Sequence, residues 1–463
     1  MVKLTPLSNW LNDAPEQIVA VHKETRVTTV DFLNRIRAWI DVLEQHQVKG
    51  GKWAVYHQDT FEFLAILFAL WQLKQTACIP GDNRPGTVNR LSDYVVGFIG
   101  EFPSIDTALD IDITIPTRKR KWLTLASDFI ALEIYTSGST GQPKPITKTI
   151  GQLDNESHSL AFLWPTKPDC IVLATVSHQH LYGMTFRLFL PFILGQAFGR
   201  KLCNYSEDIY YHANYYSSFL LVSSPSHLGR LSSQINWAEL GERCQFILSS
   251  SAPLLRADSL KVSALWNTSV CEIYGSSETG AIAWRSQKKD SADAKWQALP
   301  STQLSLTEDG VLQLSSSFHG SNEPMILADR VLFDDDGMFS LLGREDSVVK
   351  IEGKRVSLTN IEQLLVKNPL IEGLKAIVLE RKRIEVALVI KLTAKGFNAL
   401  NQLGRKDLIS QFKSCLSNEF EAVVLPRRWR FVKDFPYNQQ GKLPMEDLIA
   451  LFEKNAVNMG EAV

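Results

Sequence analysis

Between about residue 50 and residue 280, short β-branched or aromatic runs alternate with longer helix-like segments, and this alternation narrows the fold more than any other feature. KWAVYH (52–57) precedes FEFLAILFALWQL (61–73), expected to be an amphipathic helix, and TACIP (76–80) follows it. FIALEIY (129–135), IVLATV (171–176), FLLVSS (219–224), QFILSS (245–250) and VCEIYG (270–275) come later. The intervals suit βα units, and near-continuous apolar strands suit a sheet covered on both faces. Ligands in such sheets sit beyond the carboxyl ends of the strands, so the loops that follow strands are where function is sought.

After about residue 300 the pattern turns to hairpins: GVLQLSS, then MFSLLGRED, then VVKIEGKRVSL. A short helix (TNIEQLLVK), two strands (LKAIVLE and IEVALVIKL) and a helix near 405–419 follow. The expected fold class is therefore α/β: a large N-terminal domain of layered, mostly parallel sheets and helices, residues 1–344, and a small α+β C-terminal domain, residues 345–463, joined near GRED. The sequence shows neither an internal repeat nor a low-complexity tract.

A length of 463 residues agrees with more than one domain. The formal net charge of −1 gives no basic field for nucleic acid or an anionic membrane surface. Six scattered cysteines without a CxxC pair suit reduced, mostly buried thiols. The start, MVKLTPLSNWLNDAPEQ, lacks the apolar region of a signal peptide. The longest apolar run, Phe63 to Trp71, is nine residues, against the roughly 20 a membrane-spanning helix needs. The expectation is a soluble cytoplasmic protein with no membrane span and no nucleic-acid partner.

FIALEIY leads straight into TSGSTGQPK. Thr136, Ser137, Ser139 and Thr140 surround Gly138 and Gly141, and Lys144 follows. Glycines let the backbone curl around a ligand with its N–H groups turned inward, and the hydroxyls and the lysine extend an anion cradle suited to polyphosphate. A flexible Ser/Gly surface loop is the alternative. The Walker pattern is absent, because Pro143 precedes Lys144 and no hydroxyl follows the lysine. There is no GxSxG elbow, and Ser347-x-x-Lys350 lacks the partner motifs of acylating serine enzymes.

This loop resembles the phosphate-binding motif of the AMP-forming adenylating superfamily, which comprises acyl- and aryl-CoA synthetases, adenylation domains and luciferases. Further segments match in the family's order. EIYGSSETG (272–280) is similar to its YGxTE segment. The resemblance places Glu278 at Mg²⁺ and Tyr274 against adenine, with Gly275 and Ser277 in the same loop; Ser277 stands where the family usually has threonine. VSHQHLYGMTF (176–186) looks like the segment whose HxxG histidine lines the acyl pocket, here His180 with Tyr182 and Gly183. No aspartate lies between His178 and Phe186, which disfavours an amino-acid substrate. ILSSSAPL (247–254) resembles another wall of the site, with Ser251 and Ala252. Core packing is the alternative for these apolar segments.

In the C-terminal third, Asp329 falls where the family's aspartate grips both ribose hydroxyls, though Leu327-Ala328 replaces Thr-Gly before it. A carboxylate can accept two hydrogen bonds from a vicinal diol. Arg344 matches a second ribose contact, Asp346 the hinge and Gly353 the loop that enters the site for thioester formation. FPYNQQGKLPMEDL (435–448) resembles the segment of the catalytic lysine, here Lys442. Pro145 and Ser357 replace a common glycine and a common glutamate. The resemblance spans nearly the whole chain, including a helix-rich N-terminal part that matches loosely.

The resemblance implies an acid–thiol ligase. A carboxylic acid attacks ATP to give an acyl-adenylate, helped by Lys442, Thr136 and Glu278-bound Mg²⁺. The small mobile domain then turns, and the thiol of CoA, or of the phosphopantetheine on an acyl carrier protein, displaces AMP. ACIPGDNRP and the His180/Tyr182 pair look like the short synthetases of aryl-polyene clusters, which favours an aromatic acid. A medium-chain fatty acid is the runner-up. A catalytically weak binding homologue is the alternative of a different class.

Overall fold

The apolar 61–73 stretch forms the helix Thr60–Gln72, capped by Asp59, whose carboxylate accepts the N–H groups of Phe61 and Glu62. From Phe63 to Trp71 every side chain is buried. The helix is therefore not amphipathic as expected but apolar on all sides, and such a helix needs apolar cover all round. The Trp71 indole donates to the Ala131 carbonyl at 3.0 Å in one sheet, and Thr60 N–H donates to Arg200 O just after a strand of another. Val55, Ile79 and Leu132 of the first sheet share this helix's core with Val19, Val172 and Val222 of the second.

The computed structural model describes residues 4–46, 51–110, 119–135, 145–289, 294–319, 323–344, 348–351, 354–381, 384–417, 419–438 and 443–453. Among the described residues the first sheet is five-stranded, in the order Gly97–Gly100, Lys52–Tyr56, Thr76–Ile79, Ile130–Tyr135, Pro145–Thr149. Its strands pair in parallel except the last, which runs antiparallel to Ile130–Tyr135. The second sheet has nine strands, with a parallel centre of Val270–Ser276, Cys244–Ser249, Phe219–Ser223, Ile171–Ala174, Phe198–Gly199 and Ile18–His22. The expected strands thus form at the expected places. The N-terminal part is less helical than expected: an antiparallel hairpin, Ile18–His22 with Thr25–Thr28, precedes the helix Thr29–Gln45 and closes one edge of the larger sheet.

By its own contacts the chain divides into two compact units, residues 1–303 with 315–324, and residues 304–314 with 325–463. The four-stranded sheet that ends with Phe339–Arg344 therefore counts largely with the C-terminal unit, upstream of the join expected at 344/345. In that unit a three-stranded sheet pairs Ile371–Glu380 antiparallel to Ile384–Leu392, which runs parallel to Arg428–Val432. Ile361 and Leu365 of the helix Leu358–Leu365 join Leu388, Ile390, Phe412 and Phe431 in its core. Ser357 caps that helix by accepting Asn360 N–H. The expected 405–419 helix is longer: Ala394–Leu416, broken at Gly404, which takes φ +80°.

All six cysteines are described and none is disulfide-bonded; five are buried and Cys415 is exposed. Burial pushes the thiols of Cys78 and Cys203 up to about 12, and those of Cys170 and Cys271 up to about 11. Among the described residues no helix is long and apolar enough to cross a membrane.

Candidate active site

Three neighbouring parallel strands, Phe219–Ser223, Cys244–Ser249 and Val270–Ser276, end side by side, with Ser223 opposite Ser249 and Ser249 opposite Glu272. The loops beyond their carboxyl ends carry much of what the sequence singled out.

After Val270–Ser276 the chain reverses into Gly280–Ser286. Ser276 N–H donates to the Thr279 hydroxyl oxygen at 2.9 Å, Thr279 N–H donates to the Ser276 hydroxyl oxygen at 3.3 Å, and the Thr279 hydroxyl donates to Gly280 O at 2.8 Å. Gly280 takes φ +71°, and a Cβ on Gly275 would lie 2.2 Å from Gly280 O, so the reversal needs both glycines. Glu278 is held exposed in this turn, between Ser277 and buried Thr279. Tyr274 is half-buried, its ring centroid 5.6 Å from that of Trp296; Trp296 lies under the Arg285 guanidinium, which pairs with Glu272 at 2.8 Å. The turn offers oxygen donors only, one carboxylate among hydroxyls. That chemistry fits Mg²⁺, which takes one or two carboxylates and fills its remaining positions with phosphate and water oxygens.

On the other side, His180 precedes the one-turn helix Leu181–Gly183, which continues as the π-helix Met184–Phe189. A Cβ on Gly183 would sit 2.1 Å from Ser177 O, so glycine lets this turn close on the loop before it. The Tyr182 hydroxyl donates to Ser223 O at 3.1 Å, its ring lies 5.3 Å from Phe186, and Phe186 lies 6.0 Å from Trp164. Burial pushes the Tyr182 phenol well above its ordinary range. His178 is a core residue: its ring nitrogens lie 2.8 Å from His57 O and 3.3 Å from the Thr60 hydroxyl. Burial, then the nearby Arg187, hold it well below the usual imidazole range, and therefore neutral. Among the described residues no cluster of three or more His, Cys, Asp or Glu could hold a metal. Ser251 takes φ +77°, a left-handed conformation unusual for serine, and Ala252 beside it is exposed.

In the C-terminal unit, Asp329 and Arg344 are register partners in an antiparallel pair, and their side chains lie 3.4 Å apart. Thr136, Ser137, Gly138, Ser139, Thr140, Gly141, Lys144, Asp346, Gly353 and Lys442 lie outside the described residues. Residues 136–144 connect Tyr135 to Pro145, which are themselves register partners.

Sequence reasoning missed two buried charges behind the Glu278 turn. Lys148, in Pro145–Thr149, donates to Glu278 O at 2.9 Å, and Glu156, in the helix Ile150–Leu160, accepts Ala281 N–H at 2.9 Å. A lysine in ITKT reads as solvated, and nothing local signals its burial.

A family model described as AMP-binding enzyme matches residues 101–311. The chain is 27% identical over 311 residues to the 4-coumarate--CoA ligase of Cereibacter sphaeroides, covering 66% of this chain and 69% of that protein. It is 22% identical over 422 residues to the 3,4-dihydroxybenzoate--[aryl-carrier protein] ligase of Bacillus anthracis, covering 89% and 94%. Its fold matches ATP-bound MatB from Rhodopseudomonas palustris, with TM-score 0.75, 18% identity and coverage of 97% of this chain and 99% of that one. It also matches the Bacillus subtilis o-succinylbenzoate CoA synthetase solved with ATP and a magnesium ion, with TM-score 0.74, 18% identity and coverage of 95% and 98%. Residues 101–311 thus match the AMP-binding enzyme model, and over most of its length the chain is similar to ligases that join an acid to CoA or to a carrier protein and shares the fold of acyl-CoA synthetases solved with ATP.

Proposed function

We propose that the chain is an AMP-forming acid–thiol ligase that adenylates a carboxylic acid with ATP, that the acid is aromatic, and that the acceptor is a phosphopantetheine thiol, of CoA or of an acyl carrier protein. The observation that carries the substrate reading is the row Tyr182, Phe186 and Trp164, three aromatic rings in tilted contact, with Tyr182 fixed through its hydroxyl to the end of a parallel strand. Aromatic walls suit a flat ring better than a flexible alkyl chain, since offset and edge-on ring contacts add to the area buried. Two relatives whose printed names specify coumarate and dihydroxybenzoate support the same class. The likeness to the short aryl-polyene synthetases points the same way.

In this reading, residues 136–141 and Lys144 hold the pyrophosphate that leaves. Tyr274 packs against adenine, and Asp329 and Arg344 fix the ribose. His180, Tyr182, Gly183, Ser251 and Ala252 line the acid's pocket. Lys442 neutralises charge that builds on the phosphate oxygens as the carboxylate attacks the α-phosphorus. Glu278 would hold a magnesium ion, which when bound would supply further positive charge to the phosphates. For the second step Lys442 must vacate space for the thiol, so residues 345–463 turn about Asp346 and present Gly353. The thiol then displaces AMP from the acyl carbon.

ATP–pyrophosphate exchange across a panel of aromatic and medium-chain fatty acids, without thiol, tests the reading. Strong exchange with benzoic or cinnamic acids is expected. Exchange confined to fatty acids would overturn the substrate class. ATP binding without exchange on any acid would favour a binding homologue.

A further inference from the structure

Lys148 and Glu156 have no task in the reaction outlined above, yet both are charged side chains in the core, 2% and 3% exposed. Taking an ammonium or a carboxylate out of water costs several kcal/mol unless its partners compensate. The partners here are chiefly backbone. The Lys148 ammonium donates to Glu278 O at 2.9 Å and to Phe318 O at 3.3 Å. One Glu156 oxygen accepts Ala281 N–H at 2.9 Å, and the other accepts the Thr185 hydroxyl at 3.5 Å. Burial lowers the Lys148 pKa, and the charges of Glu156 and Glu278 oppose that. Burial raises that of Glu156, against Lys148 and the Ala281 N–H.

Those contacts straddle one turn. Lys148 holds it at the carbonyl of Glu278, and Glu156 holds it at the amide just past Gly280. A Cβ on Gly280 would come 2.8 Å from the same Glu156 oxygen, so carboxylate and turn are in close contact. Both side chains also follow directly from the phosphate segment. Lys148 lies in the strand that begins at Pro145, and Glu156 lies in the next helix, which Thr149 and Gln152 secure with a capping box. If bulk were all that mattered, leucine and methionine would fill these positions without a desolvation cost.

We propose that Lys148 and Glu156 are positioning residues that lock the 276–281 turn to the strand leaving residues 136–144, so that the Glu278 carboxylate is presented to the metal–nucleotide in a fixed place. The inference rests on reading Glu278 as the carboxylate that serves Mg²⁺-ATP.

The test is a Mg²⁺ titration of ATP-induced thermal stabilisation, with ATP–pyrophosphate exchange measured in parallel. The K148M/E156Q double variant leaves neither charge alone in the core, so it is the variant expected to fold. Its melting temperature without nucleotide should stay within a few degrees of wild type. Its half-saturating Mg²⁺ should rise about tenfold, as when a second-layer partner of a metal ligand is lost. Exchange kcat should fall while KM for the acid holds. In the single variants, Glu156→Ala should shift the Mg²⁺ titration, and Glu156→Gln, which keeps an acceptor for Ala281, should restore most of it. Wild-type titrations in the double variant, or in Glu156→Ala, would overturn the proposal. A wild-type protein that ATP stabilises equally with and without Mg²⁺ would instead overturn the Glu278 reading itself.

Discussion

Asp329 and Arg344 face each other directly across an antiparallel pair, with Nη1 of the arginine 3.4 Å from Oδ2 of the aspartate. Arg344 is half exposed, so the pair adds at most about 1 kcal/mol to stability. In the proposed site the pair aims the Asp329 carboxylate at the ribose hydroxyls. In Asp329→Asn a charged acceptor becomes a neutral one, and hydrogen bonds to charged groups contribute about 1.5–3 kcal/mol. KM for ATP should therefore rise by roughly 10- to 100-fold, with stability changed by less than about 1 kcal/mol. Steady-state exchange kinetics and denaturant melts check the two halves.

Gly183→Ala would put a methyl 2.1 Å from the Ser177 carbonyl oxygen. That neighbour is backbone, so the helix must move away from the loop. The cost should be at least about 1–3 kcal/mol, read from urea unfolding. Because Tyr182 moves with the same turn, KM for the acid should rise more than KM for ATP.

Lys442→Ala should reduce adenylate formation by roughly 10²-fold or more, the usual size of a lost transition-state charge contact. Thioester formation from supplied acyl-adenylate should stay within a few fold of wild type. Equal loss of both half-reactions would argue against a C-terminal domain that exchanges one catalytic arrangement for another. Single-turnover assays of each half-reaction separate the outcomes.

His227 gives the fold an acid-sensitive point. Burial, then Arg230, hold its imidazole down at about 4, and it lies 3.0 Å from the Ser224 hydroxyl. The unfolded chain takes up this proton near pH 6.5, well before the folded one does. The stability it contributes is therefore present above about pH 6.5 and is lost as pH falls toward 4, to a total of roughly 3 kcal/mol. His227→Gln should flatten the acid limb of a stability–pH curve between those values while leaving the alkaline limb alone. Urea midpoints measured from pH 4.5 to 8 check it.

The parallel strands were legible because they are buried on both faces and carry their signal in every residue; FLLVSS and QFILSS form strands within a residue of the expected bounds. The Ala394–Leu416 helix was read short because Gly396 and Gly404 look like loop residues. Gly404 does break the helix, but Leu400, Leu408 and Phe412 pack on both sides of the break and keep the segment helical. The Glu278 turn could be read because glycine, hydroxyl and carboxylate crowd one short stretch. Lys148 could not, because its burial depends on a turn 130 residues away. The π-helical Met184–Phe189 was equally silent, since MTFRLF differs in no local way from an α-helical run.

The cysteines have a practical consequence. Five are shut in the core of the N-terminal unit, four of them with thiols pushed to about 11 or 12, so they are poor nucleophiles toward a maleimide at neutral pH. Cys415 is exposed, on the Ala394–Leu416 helix of the C-terminal unit. The unaltered protein therefore directs a dye to a single place, on the part that the proposed second half-reaction would move. The proposed domain motion can be tested by fluorescence without engineering a new attachment point.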